Sequence, residues 1–225
     1  MSTFDGGGST HAPPDAIPRW RLIAGIAGPA AFVAAWSVLG AVKPGYSPVQ
    51  DPISQLAAVG ASTRVPMTLG FLAFGAGVGA FANALRTALP GGAGTAAAVT
   101  AGATVGVAAL PLGASFGDWP HGLAAGIGYL SLAATPLLGG LTLRRRRNGL
   151  AAVASFGAAG LTSAALVGTT IWSDHTGLLQ RAGLSVGDAW LVAVAAWMLA
   201  TRSGRNEGQS ATSDPTRPSK ARSVS

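Results

Sequence analysis

GLAAGIGYLSLAATPLLGGLTL, residues Gly122–Leu143, runs for 22 residues without a charge and then meets RRRR, Arg144–Arg147. As a helix rising 1.5 Å per residue it would be about 33 Å long, enough to cross a hydrocarbon core of about 30 Å. The four arginines that end it belong among headgroups or in water. This one stretch therefore indicates both the solvent of the fold and the side on which the segment ends.

Working outward, five more apolar runs have comparable length: about Leu22–Val42, Val65–Leu85, Ala93–Ala114, Leu150–Trp172 and Leu184–Thr201. Only the last holds a charge, Asp188, near its beginning. Composition agrees, since 10% of the 225 residues are charged while 49% are hydrophobic and 33 are glycine; soluble domains carry roughly 25% charge. The expected fold is an all-α polytopic membrane protein with six transmembrane helices over residues 22–201. It lies between a disordered tail at 1–21 and a disordered basic tail at 202–225, both lacking apolar periodicity. The first run exceeds a signal-peptide core and follows a polar leader, so it reads as a retained span. The third, rich in Ala, Gly and Thr, inserts weakly, and the sixth is short unless its Asp188 end reaches the headgroups.

Orientation follows from the basic residues. With six spans, one side holds Arg19, Arg21, Arg86, Arg144–Arg147, Arg202, Arg205, Arg217, Lys220 and Arg222, and the other only Lys43, Arg64 and Arg181. Twelve against three places both termini in the cytoplasm. Trp20 and Trp197 then fall toward the inner interface and Trp119, Trp172 and Trp190 toward the outer one, as interfacial anchors. Because lipid is as apolar as leucine, the helices must associate through small residues, for which Gly75 with Gly79, Gly102 with Gly106 and Gly122 with Gly126 have the right spacing.

Several chemistries are excluded or disfavoured. With no cysteine there are no disulfides, thiolate metal sites or cysteine nucleophiles. The net charge of +7 sits in loops and tails beside apolar runs, so the partner is the lipid bilayer and not nucleic acid. No cofactor motif is present. Coupled transporters keep ionisable groups at membrane depth, and the span centres read as having none, which turns attention to the three outer loops.

In the first, Ser47-Pro-Val-Gln50 has a capping-box pattern and Asp51-Pro52 offers a second cap. A short interfacial helix is expected there, with Ile53 and Leu56 facing lipid or bundle. Asp51 reads as a cap first and a chemical group second. In the second loop Asp118 and His121, three apart at a helix entry, would point the same way. A carboxylate can orient an imidazole for acid/base work near neutral pH, or merely start a helix beside an interfacial histidine. The third carries Asp174-His175 and then Gly177-Leu-Leu-Gln180-Arg181. Together the loops could present Asp51, Asp118, His121, Asp174 and His175 as candidate catalytic groups, with Tyr46 and Arg181 as binding residues, to one outward-facing pocket. Two histidines with carboxylates can bind zinc, but no diagnostic ligand spacing is present, and Arg181 could hold a phosphate or carboxylate. Asp188, in Ser185-Val-Gly-Asp188, reads as a helix-start cap.

The stretch Gly45-Tyr46-Ser-Pro-Val-Gln-Asp51-Pro-Ile-Ser54-Gln55-Leu56, the pair His121-Gly122 and the run Gly177-Leu-Leu-Gln180-Arg181 resemble, in that order, the DUF998 family of small polytopic proteins. The likeness covers roughly Arg21–Thr201. It implies a six-span membrane fold and supplies no established activity. The family pattern favours an acid after the loop serine, where this chain has Gln55. The Ala, Gly and Arg bias with few lysines suits a high-GC bacterium such as an actinomycete, hence a bacterial inner membrane.

The leading expectation is an outward-facing polar pocket that binds a lipid headgroup or small amphiphile, with acid/base or metal-assisted hydrolysis by His121 and His175 with Asp51, Asp118 and Asp174 if chemistry follows. The alternatives are a non-catalytic accessory or structural membrane protein, and a passive small-solute permease lined by Thr100, Thr104 and Thr169.

Overall fold

The structure, a computed structural model, describes residues 17–212, with side chains through Arg202. Most of the two expected tails lies outside the described residues. The chain forms α1 (Arg19–Val42), a 3-10 turn (Ile53–Leu56), α2 (Arg64–Ala88), α3 (Ala93–Ala109), α4 (Trp119–Arg145), α5 (Gly149–Ile171), a second 3-10 turn (Ser173–His175) and α6 (Thr176–Thr212). No strand occurs among the described residues.

Each helix packs on the next, and α6 returns to α1, closing a ring. The tight connections at residues 89–92, 146–148 and 172–175 make consecutive helices antiparallel neighbours. Loops 43–63, 110–118 and 172–175 therefore share one end of the bundle. There the first loop touches the second, Val59 N–H donating to Leu112 O at 2.9 Å, and the first turn of α6, Leu178 N–H donating to Val49 O at 2.9 Å. At the opposite end the Arg146 guanidinium donates to Ala88 O at 2.8 Å and the Thr142 hydroxyl to Pro90 O at 2.7 Å.

Five helices, α1, α2, α4, α5 and α6, are long and apolar enough to cross a membrane. The third expected run is cut short. Pro111 removes a donor and disfavours helical backbone at Leu110, so α3 ends at Ala109 as a 17-residue helix, about 25 Å long.

The sixth element departs most from expectation. α6 starts at Thr176, eight residues before Leu184, because the polar Gln180 and Arg181, which read as loop, are turned into contacts with the first loop. It continues to Thr212, into the stretch expected to be disordered, since a formed helix extends at one hydrogen bond per residue fixed. Asp188 is consequently no helix-start cap. It lies twelve residues into α6, about 18 Å from Thr176 along the axis, so a span centre does contain an ionisable group.

Small residues bring the helices together. A Cβ on Gly77 would stand 2.6 Å from Ala24 O and 2.7 Å from Gly28 Cα, so α1 and α2 cross at a distance only glycine allows. Among the glycine pairs expected at interfaces, Gly75 packs against Ala101 and Val105 and Gly106 approaches Ala124, while Gly102, Gly122 and Gly126 face open space. Trp190 is not an outer anchor. It is buried, its indole donates to Ser155 Oγ at 2.9 Å, and its ring fills the space at Gly139. Trp20, Trp119, Trp172 and Trp197 are exposed, as anchors require.

Candidate functional site

The loop-bearing end is organised around Arg181. This side chain rises from the second turn of α6 with 8% of its surface exposed, and its guanidinium donates to Pro48 O at 2.7 Å, Asp51 O at 3.1 Å and Gly177 O at 2.8 Å. Its other terminal nitrogen donates to the Tyr46 hydroxyl. The guanidinium also lies 5.4 Å from the ring centres of Trp36 and Tyr46, within cation–π range. The Tyr46 hydroxyl in turn reaches the carbonyls of Asp51 and Pro52, at 3.3 and 3.2 Å. Burial pushes the Tyr46 phenol above its ordinary range, against an opposing effect of the Arg181 charge.

Gly177 makes this docking possible. A Cβ there would collide with the carbonyls of Asp51 and Pro48, so α6 can approach the first loop only with hydrogen at this position. One turn on, the Gln180 side-chain oxygen accepts from Ile53 N–H at 2.6 Å. The expected helix in the first loop is thus a single 3-10 turn, with Ile53 and Leu56 buried against the bundle and not facing lipid.

That turn sets Ser54 against His121. The Ser54 hydroxyl lies 2.8 Å from His121 Nε2, and His121 Nδ1 lies 2.7 Å from Leu110 O. A carbonyl can only accept, so in the neutral ring Nδ1 carries the proton and Nε2 accepts from the serine hydroxyl. Both residues are buried, Ser54 at 7% and His121 at 5% exposure. His121 is held here because α4 starts at Trp119 with Pro120 in its first turn and Pro111 ends α3 beside it, leaving the Leu110 carbonyl for the imidazole.

Beneath this pair is a cavity of about 50 Å³ between α1, α2, α3, α4 and α6. Phe32, Phe71 and Phe74 form its apolar wall, and Ser54, Gln180, Tyr129 and Thr100 its polar part. It has room for a few waters or for the polar end of a larger molecule. The Tyr129 hydroxyl is buried beside the Gln180 side chain without closing a well-aligned hydrogen bond, and it is within electrostatic range of Asp188. Asp188 is itself 3% exposed, and neither of its carboxyl oxygens has a hydrogen-bond partner.

The other expected groups occupy different places. The Asp51 carboxylate accepts from Ser47 N–H at 2.7 Å and closes its own turn. Asp118 stands at the N-cap of α4, yet its carboxylate takes Gly113 N–H at 2.7 Å instead of orienting His121. Asp174 and His175 are exposed on the 3-10 turn before α6. Among the described residues no three of His, Asp or Glu come together in a way that could hold a metal ion. Thr100 and Thr104 line the cavity, with hydroxyls returned to Ala96 O and Thr100 O, whereas Thr169 bonds Leu166 O within α5.

Sequence reasoning named Tyr46, Arg181 and His121, and it passed over Ser54, Gln180 and Tyr129. Ser54 and Gln180 stand inside the motifs already quoted. What marks them is their pairing, with His121 and with Ile53 N–H, which spans 67 and 127 residues of chain.

No curated protein and no solved structure matches the chain significantly. The family described as Protein of unknown function (DUF998) matches residues 26–197, which takes in the clamp on Arg181, the Ser54–His121 pair, the cavity and parts of all six helices. The chain belongs to the DUF998 family.

Proposed function

We propose that this protein crosses a bacterial inner membrane six times with both termini in the cytoplasm, and that its outward-facing end binds a lipid headgroup or small amphiphile. The single observation that carries the reading is the cavity, in which an aromatic wall of Phe32, Phe71 and Phe74 meets polar groups supplied by Ser54, Gln180 and Tyr129. A site of that kind suits a molecule with one apolar and one polar part. The polar end enters the cavity, and the remaining apolar chain lies along the bundle in the outer leaflet. At this end His121 is the acid/base group, exposed Asp174 and His175 meet the headgroup at the rim, and Asp51 and Asp118 hold their turns. Arg181 and Tyr46 keep the first loop in place over the site. The basic residues Arg144–Arg147 support the orientation.

Filling the cavity tests the reading. Ala125 lines it, so Ala125→Phe should remove amphiphile that co-purifies with the wild-type protein, measured by lipid mass spectrometry, while the melting midpoint followed by tryptophan fluorescence stays put. Unchanged co-purification would refute it.

A second reading has its own observation. The Arg181 donors go to main-chain carbonyls and to Tyr46, as in a protein whose outer polar residues only tie loops together. In that case Ala125→Phe would alter neither bound lipid nor any activity.

A further inference from the structure

We infer that Ser54 is a nucleophile activated by His121, and that the substrate class is a carboxylic ester of an amphiphile, cleaved or transferred at the cavity; this rests on the amphiphile-binding reading above. The polarity of the hydrogen bonds points to it. Because Leu110 O takes the Nδ1 proton at 2.7 Å, the neutral ring offers its Nε2 lone pair to the Ser54 hydroxyl at 2.8 Å. This is the direction in which a base removes a proton from a nucleophile, with a third group orienting the base.

The position of Ser54 points the same way. Ser54 lines the cavity, where the reacting carbon of the substrate is placed against its oxygen. Donors for a developing oxyanion are also supplied. Gln180 accepts Ile53 N–H through its side-chain oxygen, which identifies that atom, since a backbone N–H only donates; its NH2 group is then a donor on a cavity-lining residue. Tyr129 lines the same cavity, and its hydroxyl, buried beside the Gln180 side chain, has no closed hydrogen bond. Two such groups on residues that share a cavity with Ser54 supply the donors that the tetrahedral intermediate of acyl transfer requires.

The chemistry balances without any further cofactor. Ser54 Oγ attacks the ester carbonyl carbon as His121 Nε2 takes the hydroxyl proton, and the carbonyl π electrons move onto oxygen, facing Gln180 and Tyr129. The carbonyl re-forms, the bond from carbon to the alcohol oxygen breaks, and His121 returns its proton to the departing alkoxide. Water, or a second alcohol, then adds to the acyl-serine by the same steps in reverse order, releasing acid or new ester and restoring Ser54. The Leu110 carbonyl orients the ring throughout. Lacking a full charge, it stabilises the imidazolium less than a carboxylate would.

The test treats the full-length protein in lipid nanodiscs with an alkyl fluorophosphonate, which forms an Oγ–phosphorus bond and loses fluoride, and locates the adduct by peptide mass spectrometry. The expected result is an adduct on Ser54, none in Ser54→Ala, and labelling slowed by about a hundredfold in His121→Gln, whose amide can still bridge Leu110 O and Ser54. Wild-type protein that co-purifies with amphiphile yet leaves Ser54 unlabelled would overturn the nucleophile and leave the binding reading standing. Labelling of His121→Gln at the wild-type rate would also overturn it. Absence of both bound amphiphile and adduct would remove both readings.

Discussion

Replacing Arg181 by methionine should release the first loop from the bundle. The side chain is 8% exposed and donates to three carbonyls and one phenol. Each hydrogen bond from a charged donor contributes about 1.5–3 kcal/mol net, but the four share one group and are not additive. Methionine keeps most of the apolar contact with Trp36 and Tyr46 and strands the carbonyls, so a net loss of about 3 kcal/mol is expected, which is roughly a hundredfold in the opening equilibrium. The chain has no cysteine, so a single thiol introduced by Ala57→Cys is an unambiguous reporter. Ala57 is 5% exposed and follows the 3-10 turn. Where opening and closing are fast relative to labelling, maleimide modification tracks the open population, and the rate at position 57 should rise by about two orders of magnitude in Arg181→Met. A rise of less than about threefold would show that the Gln180–Ile53, Leu178–Val49 and Val59–Leu112 bonds hold the loop without Arg181.

Gly177→Ala forces a methyl group onto the carbonyls of Asp51 and Pro48; tryptophan-monitored melting should show a loss of about 1–3 kcal/mol, with faster labelling at position 57. Burial raises the Tyr46 phenol, so the folded state holds that proton more tightly than the unfolded chain. The clamp is then at full strength below pH of about 10 and weakens as pH rises through the folded value. Labelling at position 57, corrected for thiolate fraction, should be flat from pH 6 to about 9.5 and climb above it, and Tyr46→Phe should abolish the climb. Asp188 has no partner for either oxygen, so Asp188→Leu should raise the melting midpoint, by about 1–3 kcal/mol of stability, and a lowered midpoint would reveal a partner that the carboxyl serves. For topology, a thiol from Ser115→Cys should react with an impermeant maleimide on intact cells and one from Asn148→Cys should not; the reverse pattern would invert the orientation.

Helix α4 shows how much of the fold was legible in the residues. A charge-free run of 22 residues ended by four arginines states its own length, and the helix observed is Trp119–Arg145. The same logic failed at α6. Gln180 and Arg181 are polar enough to read as loop, and Ser185-Val-Gly-Asp188 imitates a cap, yet the helix runs through both. In the site, His121 and Arg181 stood out by residue type, but the partner expected for His121 was Asp118, three residues away, and the partner found is Ser54.

By itself the sequence determined the solvent, the all-helical class and the approximate positions of the helices, because crossing a bilayer is a demand on consecutive residues and leaves its mark in any window of about 20. The tertiary structure alone decided which polar groups meet. Arg181 reaches Pro48 across 133 residues and His121 reaches Ser54 across 67. Those approaches depend on Gly177 lacking a side chain, on Pro111 ending α3 early and on the ring of helices closing at α1, and none of these is a periodicity in the chain. A carboxyl such as Asp188 is likewise ordinary in sequence and becomes conspicuous only when its neighbours in space offer it no donor.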